Sequence, residues 1–329
     1  MTNVTTLKNQ FLNNEHDSTL ADLYYDDVEM IKYQKERYVN ALDKYIELFG
    51  EENVDIYSAP GRTEVGGNHT DHQHGMVLAA SVNLDAIAIV GNNNKNTIEL
   101  FSEGYSPLSI SLDNIAVNEA EFGTTSALIK GVIAGMNDHG YKTGPFKAYV
   151  TSDVLNGAGL SSSAAFEAII GTILSGLYND MKVSPIDIAI IGQYAENVFF
   201  GKPCGLMDQM ACSVGGFVHI DFKDPANPIV EKVGFDIADK GLQNIYSNHD
   251  FQNQPVSIGI AISENVLGNN GVCRVHGGGF AGTIQAFVKT DFVPEYKKAT
   301  ESIFGEGACH VLKIRKYGGV KVLWLTSQN

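Results

Sequence analysis

Apolar residues change their period at Val54, and that change sets the fold class. Before it, Tyr38, Leu42, Tyr45, Ile46 and Phe49 recur three and four apart, as on one face of a helix, with Gly50 where a helix C-terminus favours glycine. After it come VDIYS, the long run VLAASVNLDAIAIV, TIEL and LSISL, parted by Asn- and Gly-rich turns, which is a strand pattern. Helical segments are expected near 126–137, 163–178 and 185–199, around a strand at 146–152. Beyond Pro255 the order reads helix (VSIGIAISENVL), strand (VCRVH), glycine turn, strand (TIQAFV), a helix near 291–304 and two strands (CHVLKIR and VKVLWL), an α+β pattern on an antiparallel sheet. At roughly 150 residues per domain the 329 residues make about two domains. The expected division is a helical N-terminal extension (1–53), a mixed domain (54–222), a polar connecting segment (223–254) and a C-terminal unit (255–329).

The formal charge of −15 repels a phosphate backbone, and no Lys/Arg run offsets it, so nucleic acid is not an expected partner. No stretch of 18 apolar residues occurs and the N-terminus has no signal-peptide pattern, so no membrane partner is expected and the expected location is cytoplasmic. Cys204, Cys212, Cys273 and Cys309 form no C-x-x-C pair or zinc spacing and read as reduced, mostly core thiols.

Four segments carry candidate chemistry. In APGRTEVGGNHTDHQHG (59–75) a turn dense in Gly, His and Asp lies between two strands. The residues alone leave open ligand recognition, a solvated turn, or a metal site built on His69, Asp71, His72 and His74, although separations of three and two fit no common zinc pattern. In NGAGLSSSAAFEAIIGTIL (156–174) Gly157 and Gly159 allow close backbone approach, and Ser161 to Ser163 run into an apolar helix. Its N-terminus is either an anion site or an ordinary capped end; no Gly-Lys-Ser/Thr makes it a Walker A loop. In AENVFFGKPCGLMDQMACSVGG (195–216), Glu196 and Asp208 lie 12 residues apart, as ligand and proton acceptor or as two unrelated acids. In CRVHGGGFAGTIQAFV (273–288), Gly277, Gly279 and Gly282 spell G-x-G-x-x-G, but a β-rich run follows where a dinucleotide fingerprint needs a helix.

Order and wording together resemble the GHMP small-molecule kinases, and among them the galactokinases. The galactokinase sugar motif usually reads G-R-V-N-L-I-G-E-H-T-D-Y; this chain has Gly61-Arg62-Thr63-Glu64-Val65-Gly66-Gly67-Asn68-His69-Thr70-Asp71-His72. The ATP motif G-x-G-L-S-S-S-A is intact from Gly157 to Ala164. Cys204-Gly205-Leu206-Met207-Asp208-Gln209 is similar to C-G-I-M-D-Q, and Gly277-Gly278-Gly279-Phe280 to the third glycine motif.

The resemblance implies a two-domain GHMP kinase fold: a ribosomal S5 domain 2-like N-terminal domain binding ATP and sugar, and a ferredoxin-like C-terminal domain. It implies ATP-dependent phosphorylation of galactose, or a related monosaccharide, at the anomeric hydroxyl. Asp208 and Arg62 match the catalytic pair. Asn68, His69, Thr70 and Asp71 match the sugar-binding stretch, and Gly157, Ala158, Gly159, Leu160, Ser161, Ser162 and Ser163 the ATP loop. Ser163 and Glu196 match the Mg²⁺ positions. Asn68 and His72 depart from the usual Glu and Tyr and are expected to shift substrate fit. The chain also passes from GFDIADKG to LQNIYSNHD at Gly241–Leu242, without the strand, helices and Tyr motif that the family carries there. An internal deletion at that join leaves the C-terminal domain incomplete, with sheet edge and apolar faces exposed for self-association. The alternative function is a catalytically inactive regulatory protein that binds sugar and nucleotide.

Overall fold

The computed structural model describes the chain except residues 26, 68, 156–158, 225–226, 234–254, 277–281 and 328–329, and the side chains of His72, Pro255, Ser257, Thr326 and Ser327. In chain order the elements are β1 (Thr2–Asn3), α1 (Val4–Leu12), α2 (Asp17–Tyr24), α3 (Val28–Phe49), β2 (Asn53–Gly66), β3 (Met76–Asn92), β4 (Thr97–Ser102), β5 (Leu108–Ser111), α4 (Thr125–Asp138), β6 (Phe146–Ser152), α5 (Ser162–Tyr178), α6 (Pro185–Tyr194), α7 (Met207–Val214), β7 (Phe217–Asp221), β8 (Ile229–Lys232), α8 (Pro255–Leu267), β9 (Gly271–Val275), β10 (Ile284–Val288), α9 (Val293–Phe304) and β11 (Val320–Lys321).

The long apolar run is the centre of the main sheet, whose path is β1-β2-β3-β6-β4-β5. β3 forks: Ala86–Asn92 pairs with β6 and Met76–Ala80 with β7, which in turn pairs with β8. Side chains alternate across a strand, so a strand buried on both faces needs a layer on each. Ala86, Ala88 and Val90 pack with α4–α6, whereas Ile87 and Ile89 pack with α1–α3. The first fifty residues are helical, as the spacing in 38–49 predicts, and they supply the sheet's second layer.

A buried charge network locks that layer. Asp85, fully buried on β3, accepts from Arg37 Nη1 of α3 at 2.7 Å, Arg315 Nη1 at 2.6 Å, the Tyr24 hydroxyl at 2.6 Å and Ser58 Oγ. Burial raises its pKa, but the two guanidinium groups outweigh it and hold the carboxyl below its usual range.

The C-terminal unit is the thinnest part. Its helix, two strands and helix fall where the pattern put them, but β9 and β10 form a two-stranded sheet, and its buried cluster is Leu267, Cys273 and Tyr296. Ile258, Ile303, Phe304 and Val311 stand exposed there, and an open cleft of about 1110 Å³ separates the unit from the main sheet, walled by Leu155, Leu160, Ile284, Phe287 and Leu312 among others. The expectation of two terminal strands in this unit is corrected. Residues 306–319 make only one isolated bridge, Val82 to Ile314, Val320–Lys321 pairs with β2, and Val322–Ser327 is a 3₁₀ turn. This last segment crosses onto the main sheet: Asn83 exchanges hydrogen bonds with Lys313, Ser81 O accepts from Arg315 N, and Arg315 ends in the Asp85 network. Alternating apolar residues report extended backbone but not the partner it pairs with. The Gly241–Leu242 join lies outside the described residues.

Candidate active site

Arg62 is aimed by an irregular stretch of β2. The β2–β3 register slips between Pro60 and Arg62 and again between Glu64 and Gly66, and such bulges re-aim side chains. Gly61 allows the loop after β6 to press onto this kink. A Cβ there would lie 2.9 Å from Leu160 O, the atom that accepts from Arg62 N at 3.0 Å.

The guanidinium makes a two-pronged pair with Asp208: Nε to Oδ1 at 2.6 Å and Nη2 to Oδ2 at 2.7 Å, while Nη1 donates to Gly159 O at 2.5 Å. Parallel N–H···O bonds between fork and carboxylate fix orientation as well as charge. Asp208 is held at about 2; burial pushes its pKa up, and Arg62, the Ser161 hydroxyl and nearby His69 more than reverse that. It is therefore ionised at neutral pH, with its side chain 30% exposed.

Asp208 stands on the first turn of α7, and the sugar-motif segment sets that turn. Asp71 Oδ2 accepts from Met207 N at 3.2 Å, capping α7 from another part of the chain. Position 205 must be glycine for this to happen, since a Cβ would fall 1.7 Å from Asp71 Oδ2.

The loop before α5 is also strained towards the site. Gly159 (φ 73°) and Ser161 (φ 56°) are both left-handed, which for serine is costly. Ser161 is the N-cap residue of α5 but makes no capping bond; its hydroxyl donates to Asp208 Oδ2 at 2.5 Å. The ordinary capped end is thus not what forms, and the helix keeps free N–H groups with a positive dipole end towards any anion above it. Ser162 and Ser163 follow, both half-buried, in the helix's first turn.

Glu196 lies in a π-helical turn (Ala195–Phe199) after α6, the kind of irregularity that often marks a functional position. Its buried carboxylate meets Lys202 Nζ at 2.9 Å and Gln209 Nε2 at 2.8 Å. The same Gln209 nitrogen donates to Glu167 Oε2 at 3.0 Å, and Glu167 lies one turn along α5 from Ser163. Burial and the adjacent Glu196 raise the pKa of Glu167. Glu167 Oε1 and Gln209 Oε1 are buried without a hydrogen-bond partner, so this corner offers unsatisfied oxygen acceptors. Hydroxyl and carboxylate oxygens are the donors a hard divalent cation takes, and the residues fit one. Among the described residues, no group of three or more His, Cys, Asp or Glu side chains forms a metal site; His69 Nε2 lies 3.4 Å from Glu64 Oε2, and His74 Nδ1 lies 3.2 Å from Lys223 O.

Of the residues expected from sequence, Arg62, Asp208, Gly159, Leu160, Ser161, His69 and Asp71 converge. Thr70 instead closes its own turn, its hydroxyl 3.4 Å from Met76 O. Asn68, Gly157, Ala158 and the glycines 277–279 lie outside the described residues. Sequence reading missed Glu167, Gln209 and Lys202, and a buried polar layer that ties the C-terminal unit to β2: Thr63 Oγ1 with His276 Nε2 at 3.1 Å and Gln285 Nε2 at 2.5 Å, and Arg274 with Glu64. The visible signal was Glu64 itself, a second acid in β2 beside Asp55.

Known proteins share parts of this sequence and its fold. The family described as GHMP kinases N terminal domain matches residues 127–216, and the galactokinase galactose-binding signature matches 43–92. A galactokinase of Clostridium tetani is 32% identical over 187 residues, 56% of this chain and 47% of that protein. One of Pyrococcus furiosus is 35% identical over 178 residues, 54% and 49%. The chain thus spans about half the length of the curated relatives it matches. The solved Lactococcus lactis galactokinase, complexed with galactose, superposes with a TM-score of 0.68 at 20% identity, covering 85% of this chain and 98% of that one. The fold is that of the GHMP kinases. Both signatures and the curated relatives make the chain similar to the galactokinases.

Proposed function

We propose that the chain transfers the γ-phosphoryl group of ATP to the anomeric hydroxyl of galactose, giving galactose 1-phosphate and ADP. The observation that carries the reading is the meeting of three separate motifs at one carboxylate: Arg62 from the sugar segment, Ser161 from the phosphate-loop segment, and Asp208 from the third. Residues 54–222 hold both substrates in this reading, with the C-terminal unit closing one side.

In this reading the sugar lies against His69, Asp71 and Asn68, and the phosphates against the N–H groups of 157–163. Asp208, ionised but a weak base at about 2, accepts the hydrogen bond of the attacking hydroxyl and orients its lone pair towards phosphorus. The hydroxyl grows more acidic as the O–P bond forms, and only then does its proton pass to the carboxylate. The γ-phosphorus leaves the β–γ bridging oxygen, whose charge stays on ADP. Arg62 balances negative charge on the transferred group while keeping Asp208 ionised. Mg²⁺, held by Ser163 and Glu196, would neutralise the phosphate oxygens; Lys202 has to leave Glu196 to admit it.

The test is ADP release by the purified chain with galactose, glucose, N-acetylgalactosamine and arabinose, in the presence and absence of a chelator. Galactose-dependent, chelator-sensitive release is expected; nucleotide and sugar binding without release on any of the four refutes the kinase reading.

A further inference from the structure

Gln209 follows Asp208 directly on α7, and the phosphoryl transfer described above gives it no part. It is 1% exposed, and its side-chain amide lies between two buried carboxylates. The nitrogen Nε2 donates to Glu167 Oε2 of α5 at 3.0 Å and to Glu196 Oε2 of the π turn at 2.8 Å. Carboxylate oxygens need donors, so the amide sits with its nitrogen, and both of that nitrogen's protons, between them.

Glu167 has no second hold. Its Oε1 is buried without a hydrogen-bond partner, so among the described residues its one hydrogen bond is the one from Gln209. Helix α6 leaves room for this contact at Gly192, where a Cβ would lie 3.0 Å from Glu167 Oε2 and 3.2 Å from Gln209 Cγ. In a close-packed interior any side chain at 192 would push on both. Three elements therefore end at one amide. Asp208 stands on α7 beside it, α5 starts at Ser161–Ser163 one turn before Glu167, and the π turn carries Glu196.

We propose that Gln209 is a positioning residue, whose amide keeps Asp208 in register with the serine end of α5 and with Glu196. The carboxylate that orients the sugar hydroxyl and the groups that meet the phosphates then hold one geometry. Without the amide, two buried carboxylates face each other with no donor between them, and the elements that carry them move apart. A misplacement of about 1 Å at the reacting atoms costs about a hundredfold in rate, so the clamp acts on kcat rather than on the affinity for either substrate. The kinetic consequence rests on the sugar-kinase reading; the structural one does not.

Both are tested on the full chain. In ¹H–¹⁵N spectra the Arg62 Nε–H, assigned with an Arg62→Lys variant, reports on the bond to Asp208 Oδ1. Gln209→Leu is expected to speed the exchange of that proton with water about tenfold, the effect of weakening one hydrogen bond. Glu167→Gln keeps an oxygen acceptor for the amide and should leave the exchange within about twofold. In steady-state kinetics, Gln209→Leu should lower kcat by about tenfold or more and leave the galactose and ATP KM values within about threefold, with Glu167→Gln close to wild type. If the Leu variant does not fold, Gln209→Asn serves, because it is one methylene shorter and cannot span both carboxylates. Faster exchange in Gln209→Leu, with a wild-type chain that phosphorylates no sugar, upholds the clamp and refutes the kinase reading. Unchanged exchange overturns the positioning role whatever the chain phosphorylates. An unchanged kcat in an active enzyme, equal losses in kcat and both KM values, or losses of the same size in Glu167→Gln overturn it as well.

Discussion

The pair at the centre of the site should be strongly coupled, and the coupling can be sized. Asp208 sits at about 2 against the usual 3.8 despite burial that pushes it upwards. At 1.36 kcal/mol per pKa unit, that lowering is about 2 kcal/mol of folding stability at neutral pH. The sign follows from a depressed carboxylate: the contribution is complete above pH 3.8 and is lost as pH falls from there through about 2. Replacing Arg62 by methionine strands the carboxylate with only Ser161, and replacing Asp208 by asparagine leaves a guanidinium that is 4% exposed with no counter-charge at 208, only Gly159 O and one neutral amide oxygen as acceptors. Breaking one partner of a buried pair costs about 3–5 kcal/mol; Asp208 keeps some solvent, so about 3 kcal/mol is expected for each single variant. In the double variant neither charge remains, so its loss should fall short of the summed singles by at least about 2 kcal/mol. Urea unfolding of the four proteins at pH 7, compared at equal m-values, reads this directly. Additivity to within about 0.5 kcal/mol would refute the pairing on which the site's electrostatics rest.

Gly205→Ala should leave the protein folded but cut kcat at least tenfold, because the new Cβ displaces the Asp71 carboxylate that caps the turn carrying Asp208; unchanged kcat would mean that the α7 turn is set by something else. Asp85→Asn should destabilise by about 3–5 kcal/mol, since it leaves Arg37 and Arg315 buried with one neutral acceptor between them; denaturant unfolding checks it. Because the Asp85 carboxyl is also depressed, the wild-type advantage over this variant should vanish as pH falls below the ordinary carboxylate range.

How much of this was legible in the sequence follows from what kind of signal each element leaves. Helices and strands from Asn53 to Val214 and from Pro255 to Phe304 announce themselves by period and punctuation, and most lie within a few residues of the expected places. The short α1 and α2 carry too few turns to show a period, yet Val4, Leu7, Phe11, Leu20 and Leu23 are all buried in the second layer. The last twenty residues misled because β-like alternation in CHVLKIR is satisfied by the main chain of Ser81 and Asn83 rather than by β9 or β10. Candidate residues were legible where a motif carries them: Arg62, Ser161 and Asp208, picked out in three separate segments, meet in the structure. Partners that act across the chain were not: Asp71 and Met207 lie 136 positions apart and Glu64 and Arg274 lie 210, and no local pattern records such pairs. Glu64 was visible but unread, because an acid in a strand acquires meaning only when the arginine opposite it is known.

The central claim is that Asp208 directs a sugar hydroxyl at the γ-phosphorus of ATP, and ³¹P NMR of the reaction mixture tests it most directly. With the wild-type chain, galactose, ATP and Mg²⁺, the γ-phosphate signal should be replaced by a sugar 1-phosphate monoester whose phosphorus couples to the anomeric proton, and with Asp208→Asn it should persist. A monoester at another hydroxyl, inorganic phosphate alone, or an undiminished rate in the Asp208→Asn variant would contradict the account.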